Sequence, residues 1–185
     1  MAEWSRATQR YLCRDCEIFE TMVRGMEQSV QSGSIGRDFI VQMIPHHEAA
    51  IFMAQNLLQY TTCLPLQAIA DRIIEEQTEG VRQMKNIQAA CGTIRNKPQE
   101  LAKWRQQMKQ IEQTMFRQMR EACVDNSIDA DFLRRMIPHH RGAVRMAETT
   151  LCYPICRELV PILRRIAATQ KKGICQMEAL LKNNG

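Results

Sequence analysis

Met43-Ile44-Pro45-His46-His47 and Met136-Ile137-Pro138-His139-His140 are the same five residues, 93 positions apart in a chain of 185. The interval is not confined to that string. Met22, Met26, Met53 and Met84 recur as Met115, Met119, Met146 and Met177, so ten of the twelve methionines and all four histidines pair at one spacing. The register runs from residue 22 to residue 84 without a gap, the signature of a duplicated structural unit. A duplication can retain residues of every kind, yet this one retains nearly every thioether and imidazole able to bind a metal.

A period this long implies two halves, about 1–92 and about 97–185, sharing one core in a single domain. Hydrophobic residues at 45% and charged residues at 24% are ordinary for a globular chain, and eight Gly with six Pro are too few for disorder or a turn-rich β fold. Apolar residues recur at three- and four-residue steps, as in Ile69, Ile73, Ile74, Val81 and Met84, and no segment alternates as a strand does. Breaks fall at Ser32 to Ile35, Tyr60 to Pro65, Gly92 to Pro98, Asp125 to Ile128 and Tyr153-Pro154. The pattern predicts six helices, near residues 3–31, 36–60, 65–91, 98–123, 128–152 and 155–182. At about 36 to 44 Å each they match well enough to pack side by side. The fold class is therefore all-α, an antiparallel helical bundle of two tandem three-helix repeats. Three helices running up, down, up make the second half start downward, which relates the halves by a pseudo-two-fold axis. Cys91 to Pro98 is the hinge.

The net charge of +5 comes from scattered Lys and Arg, with doublets at Arg134-Arg135, Arg164-Arg165 and Lys171-Lys172. That spacing fits solvated helix faces and not a nucleic-acid surface. No apolar run approaches the ~18 residues that a membrane span needs. The opening Met1 to Arg6 lacks a basic-then-apolar signal pattern. The expectation is a cytoplasmic chain, with the cell envelope or surface as the alternative for a trimmed one. The oligomeric state is left open, a homo-oligomer included. Eight cysteines read as reduced thiols, packed or partly exposed, with disulfides and extra soft-metal ligands as alternatives. Cys13-x-x-Cys16 has no second pair to complete a structural zinc site. Only Cys63 and Cys156 are repeat partners.

Chemistry concentrates on the second helix of each half. Met43 lies one helical turn from His46 and His47, and Met53 two turns from His46, so all share one broad face. Ala50 and Ala143, at the intermediate position, leave room for an ion or a close partner helix. Pro45 and Pro138 remove an N–H inside the helix and should kink it beside the histidines. Methionines at helical spacing often only fill a core, and that reading holds best for Met84 and Met177. Histidine used four times, always in pairs after proline, is harder to explain by packing.

Donor softness selects the metal. Thioether favours Cu(I), imidazole suits several transition metals, and hard ions need carboxylates. A di-iron site requires Glu-x-x-His, but Met43 and Met136 stand three residues before His46 and His139. No His-Glu-x-x-His occurs, and Glu48 becomes Arg141 in the second copy, which argues against a shared catalytic base.

Asp38-Phe39-Ile40-x-x-Met43-Ile44-Pro45-His46-His47 with Ala50 and Met53-Ala54, and its second copy from Asp131 to Ala147, resemble the DUF305 family. Gln77 with Met84, and Gln170 with Met177, are similar to that family's second signature. The resemblance spans nearly the whole chain in two-half form. It implies a ferritin-like bundle that binds copper through Met and His in resistance or storage. Two departures stand out: the family usually has Glu where this chain has Gly80 and Gly173, and many members are exported.

The reading is a non-enzymatic metal-binding protein for copper storage, resistance or trafficking, with Cu(I) favoured over other transition metals and one site per half. The ligands are His46, His47, Met43 and Met53, and His139, His140, Met136 and Met146, with Met22, Met26, Met115 and Met119 in reserve. The alternatives are a ferritin-like metal-dependent oxidoreductase and a metal-free helical envelope or interaction protein.

Overall fold

Serines and prolines punctuate this chain where its helices begin. The computed structural model describes residues 4–29 and 31–183, with the backbone alone at Asn183. Among these residues the chain forms six helices and no strand: α1 (Arg6–Glu27), α2 (Ile35–Leu58), α3 (Leu64–Cys91), α4 (Pro98–Arg120), α5 (Ile128–Thr150) and α6 (Leu159–Asn183). Ser5, Ser34 and Ser127 cap α1, α2 and α5, each side chain accepting a backbone N–H three residues on. Pro65 and Pro98 sit in the first turns of α3 and α4, where a missing N–H costs nothing.

The capping device is itself duplicated. In the first turn of α2, Asp38 accepts the backbone N–H of Ser32 at 2.6 Å, and Asp131 on α5 accepts that of Asp125 at 3.0 Å. Each carboxylate lies near the positive end of its helix and fixes the approach of the preceding loop. Both helices then run on through Pro45 and Pro138, whose missing N–H leaves the carbonyls of Val41 and Arg134 without their intrahelical donor.

The helices stack in three layers. α2 and α5 form the middle, α3 and α6 pack on one side, and α1 and α4 lie on the other. Neighbours are antiparallel. Asn56 on α2 reaches the carbonyl of Tyr11 on α1, Trp104 on α4 donates to Thr150 on α5 at 3.0 Å, and Lys171 on α6 pairs with Glu148 on α5. Tyr11 and Trp104 are repeat partners, both almost fully buried. Between α3 and α6, Arg72 donates to Gln176 and Arg165 to Gln83. These reciprocal straps have the pairing that a pseudo-two-fold axis requires. One apolar core draws on all six helices.

Two boundaries move. α1 ends at Glu27 and not near residue 31, and its expected start at residue 3 lies outside the described residues. α6 begins at Leu159 and not near 155. For α6 the cause is the hinge. Asn96 accepts the N–H of Ile35, donates through its amide to the carbonyl of Pro154, and bonds Gly33 through its own N–H. Cys156 is joined to Cys91 at a Cα–Cα distance of 5.1 Å. The segment before α6 is therefore held by the end of α3 and the hinge instead of winding into helix. For this pair the disulfide alternative holds; the other six cysteines are free, with Cys63 half-buried and the rest exposed.

The bond spans 65 residues and restricts the unfolded chain. Replacing Cys91 and Cys156 by Ser is expected to lower the unfolding free energy by about 2–4 kcal/mol, measured by urea denaturation. An unchanged midpoint would show that the hinge is held by Asn96 alone.

Candidate metal centre

The eight residues picked out as ligands lie on the two central helices, and none is more than 2% exposed. Met43, Met53, Met136 and Met146 have no exposed surface, and Met22, Met26, Met84, Met115, Met119 and Met177 are buried with them. The duplicated methionines thus form a thioether-rich interior, which serves packing as well as any ligand role.

The histidines do not separate into one pair per half. His46 and His139 face each other across the α2–α5 seam with ring centroids 3.7 Å apart and planes tilted by 31°. His47 lies 6.0 Å from His46, and His140 lies 5.9 Å from His139. The histidines expected as ligands in the two halves lie together in one imidazole cluster at the α2–α5 seam. Sequence spacing gives a helix face but not which faces meet, so this convergence was not legible in the chain.

Close backbone approach makes room for the outer rings. A Cβ at Gly80 of α3 would fall 3.1 Å from His47 Cδ2, and one at Gly173 of α6 would fall 3.3 Å from His140 Cδ2. These are the two positions where the family usually carries Glu. A carboxylate side chain there would have to share the space that the ring now occupies. The glycines are repeat partners, so the 93-residue register held this signal too.

All four rings stay neutral. Burial, then the neighbouring imidazoles, holds His46 and His139 well below the usual histidine range, with a backbone carbonyl of the opposite histidine pulling the other way. Burial lowers His47 to about 3, with His139 and His140 adding to the effect. It lowers His140 to about 4, with the Met136 backbone carbonyl pulling the other way. A neutral imidazole has one N–H and one lone pair. His139 Nε2 sits 3.2 Å from the His46 carbonyl oxygen, which assigns the proton to Nε2 and the lone pair to Nδ1. That Nδ1 has no partner in hydrogen-bond geometry, and neither do Nδ1 and Nε2 of His46 nor Nδ1 of His47 and His140; the His139 and Met136 carbonyls act on His46 and His140 without closing a bond.

Five buried ring nitrogens without partners need an explanation, because each such group costs about 1–3 kcal/mol. Among the described residues no group of three or more His, Cys, Asp and Glu is arranged to hold a metal ion. Thioether donors lie in the same buried core. The donor chemistry then fits a soft ion and not a hard one.

The comparisons agree with this architecture. A family model described as "Domain of unknown function (DUF305)" matches residues 20–88 and 37–181. Silver-soaked CopM is 27% identical, covering 80% of this chain and 95% of that one, with a TM-score of 0.61. CopM in its Cu(II)-bound form is 26% identical over 81% and 97% of the two chains, also with a TM-score of 0.61. A DUF305 fragment from Deinococcus radiodurans is 26% identical over 83% and 99%, with a TM-score of 0.60. No curated protein matches the chain. The fold and the histidine helices define an all-α bundle of duplicated His-His units. The chain belongs to the DUF305 family.

The buried rings make stability depend on pH. Each is neutral when folded but takes up a proton in the unfolded chain below its ordinary value of 6.5, so the fold loses stability as pH falls from there toward 3 or 4. Asp15 and Glu112, raised by burial to about 6 and about 7, act in the opposite sense over part of this range. The measurement is therefore a difference in melting temperature between the metal-free protein and the His47→Gln/His140→Gln variant. The advantage of the parent should shrink between about pH 7 and about pH 4. A constant gap would mean the rings are solvated.

Proposed function

We propose that the protein binds copper, Cu(I) in preference, through its histidine cluster and the buried methionines, in copper storage, resistance or trafficking. The observation that carries this reading is the set of five unpartnered ring nitrogens inside a thioether-rich core. Imidazole nitrogen and thioether sulfur are the neutral, soft to intermediate donors that suit a monovalent copper ion. They give little help to a hard cation. The CopM structures carry Ag in one case and Cu(II) in another, which supports copper-type chemistry on this fold.

The ligand set under this proposal is His46, His47, His139 and His140 with Met43, Met53, Met136 and Met146. The stacking of His46 on His139 at the axis favours a site shared between the halves over one in each. The Cys91–Cys156 bond suits an oxidising compartment better than a reducing cytoplasm, which favours the envelope location over the cytoplasmic one.

Anaerobic titration against a Cu(I) indicator tests the proposal. Met43→Leu with Met136→Leu keeps side-chain volume and should leave the fold intact, while weakening copper binding by roughly tenfold or more, the scale on which metal sites respond to altered surroundings. Replacing all four histidines by Gln should abolish tight binding. Unchanged affinity in both variants, each confirmed folded by circular dichroism, would sink the reading.

A further inference from the structure

The cleft between α3 and α6, about 410 Å³ in volume, has a floor that obeys the duplication and walls that do not. His47 and His140 lie at its base with Gln77 and Gln170. Both glutamines are only 4% exposed. Gln77 has neither amide atom bonded, and Gln170 leaves its Oε1 bare. A buried carboxamide with no partner is rare in a folded chain and marks the place of an absent polar group. Gln170 repeats Gln77, so the duplication kept both.

The walls differ in charge. α3 presents Glu75, Glu76 and Glu79, where the equivalent positions of α6 are Ala168, Thr169 and Lys172. Glu79 is committed to Arg82 and Gln83 on its own helix. Glu76 feels Arg72 first, then Lys172 and Arg165, yet forms no close ion pair with any of them. The Arg72–Gln176 and Arg165–Gln83 straps hold the two walls at fixed separation. With Arg72 and Arg165 bonded to Gln176 and Gln83, Glu76 and Lys172 are cleft charges of opposite sign without a bonded partner. An anion alone therefore engages only Lys172, a cation alone only Glu76, and an apolar molecule strands both buried carboxamides.

We propose that this cleft binds a small zwitterion, an α-amino acid or short peptide, with its ammonium on Glu76, its carboxylate on Lys172 and its polar remainder over Gln77 and Gln170. The volume falls in the range of roughly 300–1,000 Å³ found for small-molecule sites. The inference does not rest on copper binding. It uses the cleft face of the histidine rings as a floor and asks nothing of their lone pairs.

The test is a two-dimensional NMR titration of the metal-free full chain with glycylglycine, which carries both charges and a peptide group. N-acetylglycylglycine lacks the ammonium and glycylglycinamide lacks the carboxylate. Glycylglycine should shift the amides of Gly80 and Gly173 saturably, and each capped analogue should bind about tenfold more weakly. Lys172→Glu should weaken glycylglycine by a similar factor while leaving Cu(I) affinity unchanged, since Lys172 is outside the His and Met set. Absence of saturable shifts, equal binding of a capped analogue, or indifference to Lys172→Glu would overturn the proposal. Each of those results leaves the copper reading to its own titration.

Discussion

The stacking of His46 on His139 is the constraint from which the rest of the structure follows. Two imidazoles with centroids 3.7 Å apart and no exposed surface can share that space only while both are uncharged, because a proton on either would be buried without water or a counter-ion. Their two sequence neighbours face the α3–α6 layer, where glycine is required at 80 and 173 to receive them. α2 and α5 must therefore be central, must cross at the histidines, and must each carry a helix with a side-chain-free patch. The three-layer stack is the arrangement that meets those demands with one repeated unit.

Position relative to the axis explains what the two copies kept. On the axis a group meets its own counterpart, so a change in one copy faces an unchanged partner as well as a changed self. The histidines, Gln77 with Gln170, and the two Arg–Gln straps are all retained. Farther out the copies diverge. Asp15 makes a buried ion pair with Arg135 at 2.7 Å, whereas the equivalent positions hold Met108 and Gln42. Arg120 lies 5.1 Å over the Phe19 ring, whereas the equivalents are Glu27 and Glu112, and burial together with Glu27 raises Glu112 to about 7. Each pair joins one half to the other, and its repeat-related counterpart holds different residues, so the contact is made once and not twice.

The helices were legible in the sequence because their signals are local. Periodicity, Ser caps and the prolines at 65 and 98 need no knowledge of the fold, and the α6 boundary that shifted is one set from a distance, by Asn96 and the Cys91–Cys156 bond. The candidate ligands were visible as residue types, since the repeat isolates Met and His. Their meeting was not, because helical spacing fixes a face and says nothing about which face opposes it. The cysteines show the same limit from the other side. Only Cys63 and Cys156 follow the register, yet Cys156 bonds to Cys91, an unrepeated residue, so descent and contact give different partners.

Gly80 and Gly173 bring these strands together. From the sequence they register as two lost carboxylates, a subtraction from the pattern that DUF305 chains usually carry. In the fold they are the contact surface of His47 and His140, within 3.1 to 3.3 Å of what a Cβ would reach. A carboxylate at those positions would offer each ring a charged neighbour and favour its protonated form. Glycine offers only backbone and close packing, and so holds the ring neutral, buried and open on the side that faces the cleft. The same substitution keeps a charged carboxylate away from the imidazole cluster. In this chain the neutrality of the buried imidazoles is a property of the glycines as much as of the histidines' own burial.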